Sequence, residues 1–175
     1  LLCDLPILSV NNRASQQKNK KEMNRSIAIV ASKFNSSISE IELDACVNTL
    51  LNLGVPKKKI FSFYVPGALE IALVLKNLAS SKRFDGLIAL GAVIRGETFH
   101  FEIVAMESAF SISRVALEFN IPVANGILTV ENKDQALDRA EKKGSDCALV
   151  VMEMINLLQP IQEYSDGSVI CGKNS

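Results

Sequence analysis

The residues best suited to chemistry lie in one stretch, GAVIRGETFHFE at residues 91–102. It holds the single histidine of the chain, His100. Histidine titrates near neutral pH and can take up and return a proton during a reaction. Just before it, Gly96, Glu97 and Thr98 offer backbone N–H groups and a hydroxyl to an anion at the start of a helix, provided the Glu97 side chain points away. Three further groups could join them. Glu70 follows a Pro66-Gly67 turn, Phe34 and Asn35 sit in SKFNSS, and Arg139, Lys142 and Lys143 supply positive charge late in the chain; arginine suits a bidentate phosphate contact. Each also has a plainer reading. Phe34 can cap the core, Glu70 can answer a helix dipole, the late cations can coat a solvated helix face, and His100 can be a structural histidine.

These groups need elements to position them. The apolar run at residues 87–90 reads as a strand ending in Gly91, and Phe101, Val104, Ala105, Ile112, Ala116 and Phe119 recur at helical spacing. The same alternation runs through the chain. Strands are expected at 26–31, 60–65 and 121–129. A helix through Ile38, Ile41, Ala45, Leu50 and Leu53 stops at Gly54, and another spans about 69–79, apolar nearly all round and so expected to be covered on both faces. Asn132 and Gln135 resemble a capping box. The helix they open is expected to break at Lys143-Gly144-Ser145, resume over 146–158 and stop at Pro160. Continuous apolar strands alternating with helices indicate a parallel sheet covered on both faces, an α/β/α three-layer sandwich of flavodoxin-like type with four strands. In that arrangement the loops after all the strands emerge at one end, where ligands bind in such sheets. Residues 1–24 read as a flexible arm, 25–159 as the domain and 160–175 as a tail.

Composition narrows the partners. Nineteen basic residues balance nineteen acidic ones, which gives no footprint for nucleic acid or a membrane surface. The cysteines (Cys3, Cys46, Cys147, Cys171) are scattered without a C-x-x-C pair, a pattern for reduced cytoplasmic thiols rather than a zinc site or a disulfide framework. No apolar run approaches membrane-spanning length, and residues 1–10 lack the basic flank of a secretory signal.

Several spaced motifs in one order carry a resemblance: KFN at 33–35, VPGALEI at 65–71, GAVIRGETFHFE at 91–102, IPVANGILTVEN at 121–132, QALDRA at 135–140 and EMINLL at 153–158. Over residues 26–158 the chain resembles the lumazine synthase (6,7-dimethyl-8-ribityllumazine synthase) family. The resemblance implies condensation of 5-amino-6-(D-ribitylamino)uracil with 3,4-dihydroxy-2-butanone 4-phosphate, without a cofactor or metal, as the penultimate step of riboflavin biosynthesis. It also implies homopentamers, in some members packed into shells, with each active site shared between subunits. By motif, Phe34 would stack on the pyrimidine and Asn35 lie beside the ribityl chain. Ala68 and Leu69 would give backbone contacts, and Glu70 would hold ribityl hydroxyls. Backbone groups of Ala92, Val93 and Ile94 would read the uracil edge. Glu97 and Thr98 would form the phosphate loop, His100 would transfer protons, and Arg139 of the adjacent subunit would bind phosphate. Asn125 stands where many members carry an aromatic, and Leu69 where Phe is common. The segment after Arg139 is shorter than usual; aligned from the Gly144 side, Lys143 and Asp146 would fall on family positions near the phosphate and the histidine.

Two other readings are compatible with this pattern. A riboflavin synthase of related fold would make riboflavin from lumazine alone, and a lumazine or flavin carrier would bind without turnover. His100, Thr98 and Arg139 together count against a carrier, which has no use for a phosphate site.

Overall fold

The computed structural model describes residues 25–165. Strand β1 (Ile27–Ser32) is followed by helix α1 (Ser36–Asn52), β2 (Ile60–Val65), α2 (Ala68–Ser80), β3 (Gly86–Ile94), α3 (His100–Phe119), β4 (Val123–Val130) and α4 (Lys133–Ser165), with one 3-10 turn at Lys57–Lys59. The strands form one parallel sheet in the order β2-β1-β3-β4. This is the α/β/α sandwich expected from the alternation of elements.

Strand side chains alternate between two cores because successive residues point to opposite faces. Ile27, Ile29, Ala31, Ile88 and Leu90 pack against Leu43, Cys46 and Leu50 of α1 and against Ala148, Val151 and Ile155 of α4. Ala28, Val30, Leu87, Ala89 and Val93 meet Ile71 and Leu75 of α2 and Ile112 and Val115 of α3. Each fully buried isoleucine, leucine or valine among them contributes about 1.5–3 kcal/mol relative to exposure. Burying a charge in either layer, as in Ile112→Asp, would break the fold.

Two helices depart from expectation. Helix α4 does not break at Gly144 and continues past Pro160 to Ser165. A Cβ at Gly144 would collide with the backbone carbonyl of Glu42 on α1. The glycine marks a close helix crossing, which outweighs its cost of about 1 kcal/mol in a helix interior. Pro160 removes one helical hydrogen bond, and the chain continues helically beyond it. The tail expected from residue 160 therefore begins as helix; residues 166–175 and the arm at 1–24 lie outside the described residues. Helix α2 is not covered on both faces within one chain, for Ile71, Leu75 and Ala79 are buried while Leu73 is 68% exposed. The cap opening α4 forms in part as expected: the Gln135 N–H donates to Asn132 Oδ1 (2.9 Å), but Gln135 Oε1 accepts from the N–H of Glu131 (3.0 Å), one residue before Asn132.

Candidate active site

The sheet order creates the site. From β1 the chain turns onto the α1 face and moves to β2; from β3 it turns onto the opposite face with α3 and moves to β4. Neighbouring strands β1 and β3 thus send their loops apart, opening a crevice at their carboxyl ends.

Hydrogen bonds fix the walls of that crevice. Asn35 adopts a left-handed conformation (φ 60°) that redirects the chain into α1, and its carbonyl accepts from the N–H groups of Ile38 and Ser39. Its side-chain Nδ2 donates to the carbonyl of Ala92 (3.0 Å), tying the β1 loop to the end of β3. The N–H groups of Lys33 and Phe34 donate to the carbonyls of Val65 and Pro66 (2.8 and 3.0 Å), joining the same loop to β2. The Phe34 ring, braced on both sides, stands 72% exposed at the rim. Below it, a Cβ at Gly67 would lie 3.0 Å from Glu70 Oε2, so the glycine leaves room for that carboxylate over the start of α2. Strand β3 runs beyond the expected stop at Gly91, paired with β4 as far as Ile94–Val130. The extension carries the backbone of Ala92, Val93 and Ile94 into the wall.

These elements enclose a cavity of about 510 Å³ lined by Phe34, Gly67, Ala68, Leu69, Glu70, Ala92, Val93, Ile94, Gly96, Thr98, His100, Phe101 and Val104. His100 is the first residue of α3, and its backbone N–H points to the Thr98 hydroxyl (3.4 Å). Thr98 and the first turn of α3 therefore meet at the cavity, where a helix N-terminus favours an anion. An aromatic ring, a carboxylate, backbone groups, a hydroxyl and an imidazole suit a polar heterocycle and a phosphorylated partner. A larger hollow of about 610 Å³ lies at the other end of the sheet. There Arg25 pairs with Asp85 (3.3 Å) and donates to the Gln159 side-chain oxygen, and the hollow sits away from the strand ends that carry the candidate residues.

The remaining sequence-identified residues are elsewhere. Glu97 is exposed outside the cavity lining, as the anion reading requires. Arg139 and Lys143 border a separate hollow with Lys142 and Asp146 beside β4, and the Arg139 guanidinium donates to the Gln135 carbonyl (2.9 Å). Asn125 borders a third hollow with Met106 of α3, and its Oδ1 accepts from the Ile127 N–H (3.0 Å). One chain does not bring these three to the cavity.

Sequence reasoning passed over Phe101 and Val104 as lining, although Val104 follows His100 by one helical turn. It also passed over Glu42, which stands in the apolar series Ile38, Glu42, Cys46, Leu50 of α1. Glu42 is fully buried and neither carboxyl oxygen has a hydrogen-bond partner. Burial pushes its pKa up to about 8, only partly opposed by the Gly91 backbone and the Lys143 ammonium. Across the same seam, burial raises the thiols of Cys46 and Cys147, the latter to about 11, so both are unreactive at neutral pH. Among the described residues no group of three or more His, Cys, Asp or Glu side chains is placed to hold a metal ion. No described helix is long and apolar enough to cross a membrane.

The family model for 6,7-dimethyl-8-ribityllumazine synthase matches residues 24–159. The chain is similar to the 6,7-dimethyl-8-ribityllumazine synthase of Bordetella petrii, 53% identical over 140 residues that make up 80% of each chain. It is 51% identical over 140 residues to the Burkholderia multivorans enzyme of that name, covering 80% of this chain and 81% of the relative. For the Azoarcus enzyme the identity is 53% over 136 residues, 78% of this chain and 87% of the relative.

Proposed function

The chain belongs to the 6,7-dimethyl-8-ribityllumazine synthase family, and we propose that its cavity carries out that transferase reaction, the penultimate step of riboflavin biosynthesis. The amine of 5-amino-6-(D-ribitylamino)uracil condenses with the ketone of 3,4-dihydroxy-2-butanone 4-phosphate, water and inorganic phosphate leave, and the second ring closes to 6,7-dimethyl-8-ribityllumazine. The carrying observation is that Phe34, Glu70, Thr98 and His100, drawn from three different strand-to-helix junctions, line one cavity at the divergence of β1 and β3.

The roles follow from the chemistry of each group. The exposed Phe34 ring offers a stacking face to the pyrimidine. Backbone groups of Ala92, Val93 and Ile94 face the uracil edge, and Ala68 and Leu69 complete the wall. Asn35 holds Ala92 in place, and Glu70 accepts hydrogen bonds from ribityl hydroxyls. Thr98 and the α3 N-terminus hold the phosphate as its charge develops on departure. His100, the residue at that N-terminus, moves protons between nitrogen and hydroxyl groups as the imine forms and water is lost. Holding the two substrates together supplies much of the acceleration. Mixing the purified protein with both substrates should produce the lumazine chromophore well above the uncatalysed background; no acceleration refutes the reading. Lumazine supplied alone should yield no riboflavin.

The partner is a second copy of the chain. One face of α3 presents Ile103, Met106, Phe110 and Leu117, from 46 to 83% exposed, an apolar stripe of the kind that marks an interface. In a pentamer, or an assembly of pentamers, that contact would bring the Asn125, Arg139 and Lys143 of one copy to the cavity of the next. Residues 25–159 form the catalytic domain on this reading, between the arm at 1–24 and a C-terminal extension whose first part continues α4. The free, buried Cys46 and Cys147 suit a cytoplasmic setting.

A further inference from the structure

The loop between β3 and α3 holds a clamp that none of the proposed substrate contacts accounts for. Arg95 ends the β3–β4 ladder, its N–H donating to the Val130 carbonyl (2.9 Å). Its guanidinium then binds two carboxylates from different elements, Glu102 in the first turn of α3 through Nη1 and Glu131 at the end of β4 through Nε (2.6 Å). It also lies over the Phe101 ring, 4.1 Å from the centroid. The next residues in the chain are Gly96, Glu97 and Thr98, and Glu102 follows His100 by two positions.

The charge count explains why this matters. Between residues 95 and 102 the chain carries Glu97 and Glu102 against one arginine, and Glu131 adds a third carboxylate beside it. Without Arg95, Glu102 and Glu131 would stand unpaired beside the loop that carries Gly96, Glu97 and Thr98. A phosphate dianion would be repelled where it must bind.

We infer that Arg95 is a positioning residue for the phosphate-bearing substrate, offsetting one of the two negative charges of Glu102 and Glu131 while it fixes the first turn of α3 against the end of β4. Pairing is mutual, since the same contacts hold the Glu102 carboxyl below its ordinary range, with the Arg95 hydrogen bond as the leading cause. All three side chains are partly exposed, so the clamp adds little to global stability. Lysine replaces it only in part, because a point charge cannot fork between two carboxylates and stack on a ring. The inference rests on placing the phosphate at residues 96–98.

The test is steady-state kinetics with each substrate varied in turn. Arg95→Gln should raise KM for the butanone phosphate on the order of tenfold, leave KM for the pyrimidine within about twofold, and narrow its defect in high salt. Arg95→Lys should fall between, and it carries the test if the glutamine variant fails to fold. Adding Glu102→Gln and Glu131→Gln to Arg95→Gln should restore the butanone KM, because the repulsion has been removed with its source. A triple variant as impaired as the single one overturns the electrostatic role, as does an equal rise in both KM values. Thr98→Ala separates the two levels of argument. If it raises the butanone KM while Arg95→Gln does not, the phosphate site stands and the inference fails. If neither variant changes that KM, both fall.

Discussion

Replacing Glu42 by glutamine should change how stability depends on pH. In the folded protein its carboxyl titrates at about 8, against 4.5 for an ordinary glutamate, with burial as the dominant cause. The folded state therefore holds this proton more tightly than the unfolded chain. For an acid with a raised folded pKa, stability is complete below about 4.5 and is lost as pH rises toward 8. At about 1.4 kcal/mol per pH unit, the loss is about 3 kcal/mol at pH 7 and approaches 5 kcal/mol above pH 8. Glutamine keeps the shape and cannot ionise. Its own buried amide carries a cost of about 1–3 kcal/mol that does not vary with pH. Relative to the parent, Glu42→Gln should thus gain about 4 kcal/mol between pH 5 and pH 8.5, on the order of 10 °C in Tm for a domain of this size. Calorimetry at a fixed scan rate and protein concentration keeps the contribution of self-association constant. Tm curves of variant and parent that run parallel across that range refute the reasoning, because they place Glu42 in water or in an ion pair.

Further consequences can be checked directly. His100→Ala should lower kcat by about 10²–10⁴-fold with little change in Tm, since the side chain is exposed; a large fall in Tm with unchanged turnover would restore the structural reading of this histidine. Gly144→Ala should lower Tm or abolish soluble expression despite the better helix propensity of alanine, because the new methyl meets the Glu42 carbonyl. Gly96→Ala, where a Cβ meets open space, is the matched control. A glutamate at Met106 or Phe110, both well exposed on the apolar α3 stripe, should reduce the mass measured by light scattering while far-UV circular dichroism stays unchanged.

What the sequence disclosed depended on whether a signal was local. Uninterrupted apolar strands between amphipathic helices specify a covered parallel sheet, and the rim residues then follow from loop position, so Phe34, Glu70, Thr98 and His100 were legible. Gly144 and Pro160 misled because they were judged by helix propensity alone. The contact that makes glycine necessary lies on α1, about a hundred residues earlier in the chain, and no local pattern reports it. Gly91 misled similarly: its neighbours on β4 continue the ladder three residues beyond it. Glu42 was hidden by type, since an acid at an apolar helical spacing reads as a solvated edge until the helix packed over it is known. The Arg95 clamp needs three elements to meet, which is tertiary information throughout.

The makeup of the cavity bears on how activity depends on concentration. Among the described residues, those lining it include one carboxylate, Glu70, and no lysine or arginine. Arg95 is committed to Glu102 and Glu131. A dianionic phosphate held by a hydroxyl and a helix N-terminus alone has about half an elementary charge opposing it, far short of neutralisation. Positive charge stands instead in the hollow beside β4, where Arg139, Lys142 and Lys143 lie with Asp138 and Asp146, outside the cavity lining of the same chain. On the proposed reading a second copy supplies it, and catalysis is linked to association by mass action. Specific activity should then fall on dilution through the same concentration range in which scattering mass falls. Arg139→Ala mixed with a His100→Ala variant should recover activity, because some interfaces then pair an intact His100 with an intact Arg139. Full activity in a monomer, or no recovery from the mixture after subunit exchange, shows that each chain holds its phosphate unaided and that the site is complete without a neighbour.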